Sequence, residues 1–285
     1  MIDIAVIGSG AAGLSAAVNC IARNRTVTVF GRKIETSMLY KAERVDNHLG
    51  MPSLTGKEML ESFLEHTKKL NIKIEEGRII QILPMGKYFS LNFENKMFVE
   101  TKTVILATGI SKGKTVSGES EYLGKGVSYC ATCDGMLYKN KDVVLYSEIE
   151  EGIADANFLA DICKSVTFIS EKEPKGDLHE KVTVIQGKPI EVLGNDFVES
   201  VKVNDKIIKC EGAFFIKESL PMDSLIPNLE LKDNAIVVNR FMETNLKGVF
   251  ACGDCTGWPY QVSNAVGEGL ISAQRADKLI RDEQL

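Results

Sequence analysis

The sequence predicts an α/β protein with two doubly wound domains, the second inserted into the first. Three observations lead to this prediction. A short apolar run from Ile4 to Ile7 ends in a glycine-rich turn and passes directly into a helix of small residues. A second strand, helix and strand unit begins at Asp142, and the C-terminal part again consists of a strand, a glycine turn and a helix. Because these last elements have no domain of their own to complete, we expect them to return to the first domain.

The composition is typical of a soluble globular protein. The 285 residues are 44% hydrophobic and 26% charged, which is enough chain for two domains of ordinary size. A net charge of −5 offers no field for nucleic acid or an anionic membrane, and neither partner is expected. The N-terminal run is typical of a strand and not of a signal peptide, so we expect a cytoplasmic protein. Seven scattered cysteines do not resemble a secreted disulfide framework, and most should be reduced and buried.

The first glycine-rich turn is Gly8-Ser9-Gly10-Ala11-Ala12-Gly13. The glycine spacing alone is a weak signal, but its position between a strand and a helix N-terminus is specific. Backbone N–H groups and the positive end of the helix dipole would face a pyrophosphate there, and Gly13 would let the helix and strand pack closely. The turn therefore predicts a dinucleotide site. The next strand ends in Phe30-Gly31 and lacks the usual acid for the adenosine ribose, so ribose recognition must use another group.

The remaining elements follow from periodicity and turn residues. They are a helix at 56–70, short strands at 79–83, 88–93 and 97–99, a buried strand at 103–109, strands at 142–146 and 166–169 in the inserted domain, a strand at 248–254, and a helix within 259–280 that starts near Gln261. We therefore expect two Rossmann-like domains. The first dinucleotide-binding domain would cover 1–113 and 245–285, and the inserted domain 114–244.

Two cysteine pairs call for chemical interpretation. Cys130-Ala131-Thr132-Cys133-Asp134 places two thiols one helical turn apart with an acid directly after them. A helix start or a nearby cation would lower the pKa of one thiol, which favours a redox centre, although half of a zinc site or two buried thiols are alternatives. The second pair, Cys252 and Cys255, is interpreted as packing in preference to an auxiliary redox role or a zinc site. No metal is predicted.

A series of motifs resembles the low-molecular-weight thioredoxin reductases over essentially the full length of the chain. The motifs are Gly8 to Gly13, Val45-Asp46-Asn47, Ala107-Thr108-Gly109, Gly118-Glu119, Cys130 to Gly135, Gly253-Asp254 and Ala265-Val266-Gly267-Glu268-Gly269. The resemblance implies an FAD domain split around a pyridine-nucleotide-like domain that carries the redox Cys pair. It also implies a homodimer that acts on thioredoxin or a thioredoxin-like protein.

The same resemblance implies roles for individual residues. Cys133 would face the flavin, Cys130 would attack the disulfide of the protein substrate, and Asp134 would handle its proton. Asp254 would bind the ribityl or phosphate part of FAD, and Asn47, Gln261 and Val262 would lie near the flavin ring. The complete set expected to bind FAD is Gly8, Ser9, Gly10, Ala11, Ala12, Gly13, Leu39, Asn47, Ala107, Thr108, Gly109, Gly253, Asp254, Gln261 and Val262.

The inserted domain departs from the family at both phosphate contacts. Where a glycine-rich turn is expected, the sequence has Ser147-Glu148-Ile149-Glu150-Glu151-Gly152. Ser147 and Glu150 have the spacing of a capping box, which would use the helix N–H groups that otherwise bind a pyrophosphate. Three acids in this turn would also repel phosphates, although acids suit any first helical turn. After the next strand, Ser170-Glu171-Lys172-Glu173 stands where NADPH-dependent members have basic residues. The sequence therefore predicts a protein that does not use NADPH.

The sequence as a whole predicts an FAD-dependent disulfide reductase. It resembles most the ferredoxin-dependent flavin thioredoxin reductases, which also lack these phosphate motifs. Electrons would pass from reduced ferredoxin through FAD and the Cys130/Cys133 pair to thioredoxin. Two alternatives are an NAD(P)H-dependent thioredoxin reductase with an atypical nucleotide site and a non-catalytic flavoprotein redox sensor.

Overall fold

A computed structural model describes residues 1–95, 97–110, 116–148, 152–217 and 222–283. The strands and helices follow one another in the order expected for two alternating α/β domains. They are β1 (Ile2–Ile7), α1 (Ala11–Ile21), β2 (Val27–Gly31), α2 (Gly56–Lys69), β3 (Lys73–Glu76), β4 (Ile79–Pro84), β5 (Phe89–Phe93), β6 (Phe98–Leu106), β7 (Val127–Ser128), α3 (Ala131–Asp134), β8 (Asp142–Ser147), α4 (Gly152–Ile162), β9 (Ser165–Ser170), β10 (Val182–Gln186), β11 (Pro189–Gly194), β12 (Val198–Val203), β13 (Lys206–Lys209), β14 (Gly212–Ile216), α5 (Met222–Leu225), β15 (Leu231–Lys232), β16 (Ala235–Ile236), β17 (Val249–Ala251) and α6 (Val262–Asp282).

The chain forms two compact units. The first consists of Met1–Ser111 and Leu225–Leu285, and the second of Lys112–Ser224. The chain returns to the first unit after Ser224, whereas the sequence suggested a return after residue 244. The earlier return has a physical reason, because the Asn245 side chain donates to the Asn228 carbonyl (2.8 Å) and accepts a hydrogen bond from the Glu230 N–H (3.0 Å).

The first unit is built on a seven-stranded sheet in the order β3-β2-β1-β6-β5-β4, with β17 also paired to β6. Strands β1, β2, β3, β6 and β17 are parallel, whereas β4 and β5 form the predicted antiparallel meander. One difference from the expectation is that 98–99 and 103–106 belong to a single strand, β6. Thr101 between them is buried but satisfied, since its hydroxyl donates to the Thr103 carbonyl (2.9 Å).

Helices α1 and α6 pack closely on this sheet. Small residues line the contact, and a Cβ atom at Gly269 would lie 2.3 Å from the Ala12 carbonyl oxygen. Ala16, Ala273 and Ala276 are completely buried in the same cluster. Because α6 follows the inserted unit in the chain, this packing joins the two sequence segments of the first unit into one core.

The second unit contains a parallel sheet in the order β10-β9-β8-β14-β7, together with a three-stranded antiparallel sheet, β11-β12-β13. From β8 the chain proceeds to β9 and β10 on one side and later returns as β14 on the other. The strand order therefore reverses between β8 and β14, which is where dinucleotides bind in such sheets. These features confirm the predicted α/β class.

Candidate active site

The redox cysteines lie where β7 leads into the short helix α3. Cys130 and Cys133 form a disulfide, with 5.3 Å between their Cα atoms. Cys130 occupies the N-cap position of α3, and its sulfur accepts a hydrogen bond from the Cys133 N–H (3.2 Å). Cys130 is buried, with 4% of its surface exposed, whereas Cys133 is exposed. The N-cap contact favours a thiolate on Cys130 once the disulfide is reduced, because an N–H donor stabilises negative charge on sulfur.

Ser128 ties the two ends of this motif together. Its buried hydroxyl donates to the Asp134 carboxylate (2.7 Å) and accepts a hydrogen bond from the Cys130 N–H (3.1 Å). The carboxylate is thus fixed relative to the backbone of the first cysteine. Its charge contributes, after burial, to a raised pKa of Tyr138. Sequence reasoning missed Ser128, because its burial and its contact with Asp134 arise only in the folded chain.

The predicted FAD turn lies at the carboxyl edge of the first sheet. Strands β1, β6 and β17 end side by side, with Leu106 opposite both Ile7 and Ala251. Gly8 has a φ of +122°, and a Cβ atom there would lie 2.1 Å from the Ala107 carbonyl oxygen. Gly8 must therefore be glycine for the turn to pass between the strand ends. Thr108 and Gly109 follow Ala107 along the same edge.

The N-terminus of α1 is open to a phosphate ligand. Gly10 is the N-cap residue, no side chain caps the helix, and a Cβ atom at Gly10 would meet nothing within 4 Å. A Cβ atom at Gly13, in contrast, would lie 1.9 Å from the Gly8 carbonyl oxygen. One glycine thus leaves space in front of the helix and the other allows the helix to approach the strand. These are the two features a pyrophosphate site requires, and Ala11 and Ala12 add N–H groups at the helix start.

Two further predicted FAD residues flank this turn. Gly253 packs beside Ala12, since a Cβ atom at Gly253 would lie 2.7 Å from the Ala12 Cβ. Asp254 follows directly, and burial together with the neighbouring Glu268 raises its pKa. A Cβ atom at Gly31 would lie 2.3 Å from the Ser9 hydroxyl oxygen. No side chain fits at this position, so the second strand cannot end in an acid there.

The residues predicted near the flavin ring come from both segments of the first unit. The Asn47 side chain donates to the Gln261 side chain (2.6 Å), and Val262 begins α6 immediately afterwards. Leu39 lies apart from this pair in a turn, where its carbonyl accepts a hydrogen bond from the Ala42 N–H (3.0 Å) and lies against Gly56. The structure therefore brings Asn47 and Gln261 into contact and places Leu39 against the start of α2.

The second unit has a different turn at the position of the first unit's glycines. Ser147 is the last residue of β8, and its side chain is buried. A Cβ atom at Gly152 would lie 2.2 Å from the Ser147 hydroxyl oxygen, so the serine packs directly against this glycine. The Glu148 N–H donates to the Ile216 carbonyl (2.9 Å), and α4 is described from Gly152 onward. Ile149, Glu150 and Glu151 lie outside the described residues, so the capping box between Ser147 and Glu150 remains a prediction.

Acidic side chains lie at the same edge of the second sheet. Glu171, directly after β9, accepts a hydrogen bond from the Tyr146 hydroxyl (2.8 Å) and pairs with Lys188 (3.0 Å). Burial, and then the carboxylates of Glu171 and Glu148, raise the pKa of Tyr146. After β14, the Lys217 ammonium is fully buried and donates to both carboxylate oxygens of Glu119 (2.7 Å each). Glu171 thus balances the charge of Lys188, and Glu119 balances the charge of Lys217.

The second cysteine pair is enclosed in the core of the first unit. Cys252 and Cys255 are buried free thiols, and the Cys255 thiol donates to the Cys252 carbonyl (3.3 Å). Burial raises the pKa of Cys255 to about 11 and that of Cys252 well above its usual range. Thiols held in the neutral form are poor nucleophiles and poor metal ligands. Within the part of the chain that the structure describes, no three candidate metal ligands cluster.

The sequence of this fold matches a known family. The family model of the pyridine nucleotide-disulphide oxidoreductases matches residues 2–185 and 178–269. The chain belongs to this family. Among its relatives, the thioredoxin reductases of Helicobacter pylori strain J99 and Ureaplasma parvum serovar 3 are 31% and 29% identical to it. These alignments cover 96% and 98% of this chain and 97% and 96% of the relatives.

A solved structure is similar to this oxidoreductase over the full chain. The ferredoxin-flavin thioredoxin reductase of Clostridium acetobutylicum has 39% sequence identity and a TM-score of 0.86, with 99% of this chain and 98% of that chain covered. The oxidoreductase is thus a flavin disulfide reductase of the thioredoxin reductase type, as predicted, and FAD is the family's cofactor. The open helix start at Gly10 and the glycine-lined strand ends fit that cofactor. When bound, FAD accepts electrons singly or in pairs.

We expect Cys252→Ala and Cys255→Ala in this disulfide reductase to keep most of their activity. Removing a buried sulfur costs about 1–2 kcal/mol of folding stability, because a small cavity remains, but touches no reacting group. Turnover with thioredoxin and the melting temperature should be measured together on FAD-loaded protein. A large loss of turnover with FAD still bound and the fold intact would instead assign the pair a redox role.

Proposed function

We propose that this chain is a thioredoxin reductase that takes its electrons from reduced ferredoxin and not from NADPH. Its substrate is thioredoxin or a thioredoxin-like protein, reduced through Cys130 and Cys133. The similarity to the clostridial ferredoxin-flavin enzyme supports the donor, and the names of the other relatives support the acceptor. We also propose a homodimer, as the family resemblance implies; light scattering that gives the single-chain mass of 31.3 kDa would contradict it.

The turn after β8 carries the proposal about the donor. In the first unit, Gly8, Gly10 and Gly13 provide a tight turn, an open helix start and close packing. The corresponding positions in the second unit are Ser147, Ile149 and Gly152, so only the packing glycine is present. A buried serine side chain replaces the first glycine, and an isoleucine replaces the glycine whose missing side chain would admit a pyrophosphate.

The charges at this edge support the same conclusion. NADPH would bring a pyrophosphate and a 2′-phosphate to the crevice between β8 and β14. Glu148 and Glu171 both face the Tyr146 hydroxyl near that crevice, and like charges near contact cost on the order of a few kcal/mol. Lys217, which follows β14, is already held by Glu119 in a buried ion pair. It is therefore unavailable to a phosphate unless Glu119 is left with an uncompensated buried charge.

The proposed chemistry balances with a one-electron donor. Two reduced ferredoxins supply two electrons, and with two protons these convert the Cys130–Cys133 disulfide into two thiols. The Cys130 thiolate attacks one sulfur of the thioredoxin disulfide, and Cys133 then displaces the reduced thioredoxin and restores the enzyme disulfide. Asp134 exchanges a proton with the thiols. A plant-type ferredoxin near −400 mV and a thioredoxin near −270 mV differ by roughly 130 mV, or about 6 kcal/mol for two electrons.

This order of attack requires a change at Cys130. The N–H contact from Cys133 stabilises a thiolate on Cys130, but the same side chain is only 4% exposed. A buried sulfur cannot reach a disulfide on another protein. We therefore propose that reduction of the disulfide, or binding of thioredoxin, uncovers Cys130 before the exchange.

The donor is tested by mixing FAD-loaded protein anaerobically with reduced ferredoxin, NADPH or NADH and following the flavin absorbance. We expect ferredoxin to bleach the flavin rapidly and both nucleotides to leave it oxidised, because the described residues after β8 place a buried serine and carboxylates where a phosphate would bind. Subsequent addition of thioredoxin should restore the absorbance.

Each result has a distinct meaning. Rapid bleaching by micromolar NADPH would overturn the proposed donor and indicate an atypical nucleotide site. Flavin that no donor reduces, ferredoxin included, would also contradict the proposal. Flavin that is reduced but does not pass electrons to thioredoxin would favour a non-catalytic redox sensor.

Ser128→Ala should slow thioredoxin reduction by about tenfold, because the Asp134 carboxylate loses the hydroxyl that fixes it beside Cys130. The pH profile of kcat/KM should change shape as well, which a purely structural effect would not produce. Ser128→Thr retains the hydroxyl and should restore most activity. An unchanged pH profile in Ser128→Ala would show that this serine does not position the acid.

A further inference from the structure

A cleft of about 520 Å³ opens on the first unit. It lies between the end of α1, the loop at 240–241 and the C-terminal half of α6. Its walls carry an unusual concentration of positive charge for a protein with a net charge of −5. Its cationic and aromatic lining residues are Arg23, Arg240, Phe241, Arg275, Lys278 and Arg281, and a single acid, Asp277, also lines it.

The positive charge of this cleft is only partly balanced. Arg275 pairs with Glu243, Lys278 with Asp282 (2.6 Å) and Arg281 with Asp277 (2.9 Å). Asp277 is shared, because it also pairs with Arg25 (2.7 Å).

Two of the arginines have no acid to balance them. Arg23 donates to the Asn19 carbonyl (2.7 Å), and Arg240 stacks on Phe241. Neither forms a salt bridge with any residue that the structure describes. Cations suit the C-terminal ends of helices, which accounts for Arg23 at the end of α1 and for the cations of α6. Arg240 lies in the loop at 240–241, so no helix dipole accounts for it.

An aromatic ring lies within this charged cleft. Phe241 is 42% exposed, and the guanidinium groups of Arg240 and Arg275 lie 5.3 and 4.8 Å from its ring centre. Ile271 adds an aliphatic wall on α6. A concave site with several cations and an apolar wall suits a small ligand that has an anionic group and a flat or apolar part.

The position of the cleft excludes a direct role in electron transfer. Val262 starts α6 beside the proposed flavin residues, whereas Arg275 and Arg281 lie further along the same helix. At about 1.5 Å per residue they are roughly 20 and 28 Å from that start. A donor docked over these arginines would be far from the flavin, so the ligand of this cleft is not the redox donor.

We propose that this cleft binds the phosphate group of a small phosphate ester of the nucleotide class. The cations supplied by α6, Arg23 and Arg240 contact the phosphate, and Phe241 with Ile271 contacts the group that carries it. This site does not depend on the identity of the electron donor, and it lies in a different unit from the closed crevice at β8.

Isothermal titration of the FAD-loaded protein with ATP, pyrophosphate and adenosine tests the proposal. ATP and pyrophosphate should bind, more weakly at high salt, and adenosine should not, because phosphate is the recognised group. Arg23→Gln and Arg240→Gln should each weaken ATP binding by about tenfold, the usual effect of losing one charged hydrogen bond. Lys232→Gln, which removes an exposed lysine on β15, is the matched control and should bind ATP like the wild type.

Two results would overturn the proposal. The first is the absence of heat with both phosphate compounds. The second is ATP binding that neither arginine variant weakens, which would place the ligand elsewhere on the protein.

Discussion

Cys130→Ser and Cys133→Ser should each abolish ferredoxin-dependent reduction of thioredoxin, by about a thousandfold or more, as loss of a nucleophile does. The two variants should fail at different steps. Cys133→Ser should perturb the flavin spectrum and stop electrons from entering the disulfide. Cys130→Ser should leave a thiol near the flavin but lose exchange with thioredoxin. The reason is that the Cys130 sulfur, at the N-cap of α3, is the one that the Cys133 N–H stabilises as a thiolate.

The two steps can be separated by trapping. Incubation with a thioredoxin that lacks its second active-site cysteine, and whose first is held as a mixed disulfide with 5-thio-2-nitrobenzoate, should release thionitrobenzoate and give a thioredoxin–enzyme disulfide with Cys133→Ser and much less with Cys130→Ser. Cys163→Ala removes a buried thiol of the same unit and should behave like the wild type. Capture by Cys130→Ser alone would reverse the assigned roles and make the exposed Cys133 the attacking sulfur. Near-normal turnover in either serine variant would refute the mechanism altogether.

Gly10→Val should yield a folded protein that does not retain FAD, with affinity reduced about a hundredfold or more, or about 3 kcal/mol. The backbone at Gly10 has a φ of −83°, which any residue adopts, and a Cβ atom there meets no protein atom. The valine side chain would instead occupy the space in front of α1 where the pyrophosphate is expected. Flavin absorbance after gel filtration, together with circular dichroism of the apoprotein, measures the two properties separately.

Gly267→Ala provides the matched control for this variant. A Cβ atom at Gly267 also meets nothing within 4 Å, but the residue faces away from the α1 contact in α6. This variant should bind FAD normally and should gain slightly in stability, because alanine is the better helix former. Normal flavin content in Gly10→Val would show that the cofactor does not bind at this helix start.

Much of the first unit was predictable from the sequence because its local signals agree with its packing. Strand, glycine turn and helix at Gly8 to Gly13 specify both the backbone geometry and the ligand class. The predicted helix at 56–70 matches α2, whose capping box joins Thr55 and Glu58 through reciprocal hydrogen bonds. The short strands of the meander also appear as predicted, since alternating apolar residues and turns fix them locally.

The sequence failed where tertiary contacts override local pattern. The polar stretch from Glu100 to Thr103 hid the continuity of β6, because its threonines are satisfied only by partners within the fold, such as the Asp3 carbonyl (3.2 Å from the Thr103 hydroxyl). The return after Ser224 depends on contacts of Asn228 and Glu230 with Asn245, further along the chain. Neither the Ser128 contacts nor the Glu119–Lys217 pair could be inferred, since the latter joins residues nearly a hundred positions apart.

The packing of α6 on α1 has a consequence for biosynthesis. The sheet edge that would bind FAD needs β17, and the apolar face of α1 needs α6, yet the ribosome completes the whole inserted unit before it makes either element. Until then, the nascent first segment exposes the alanines and Cys20 that later form a fully buried core. Contacts between such distant segments form slowly, because the intervening loop must first be closed. Cofactor capture therefore has to wait until β17 and α6 have been made. The inserted unit, whose parallel sheet comes from one sequence segment, can fold ahead of the unit that surrounds it.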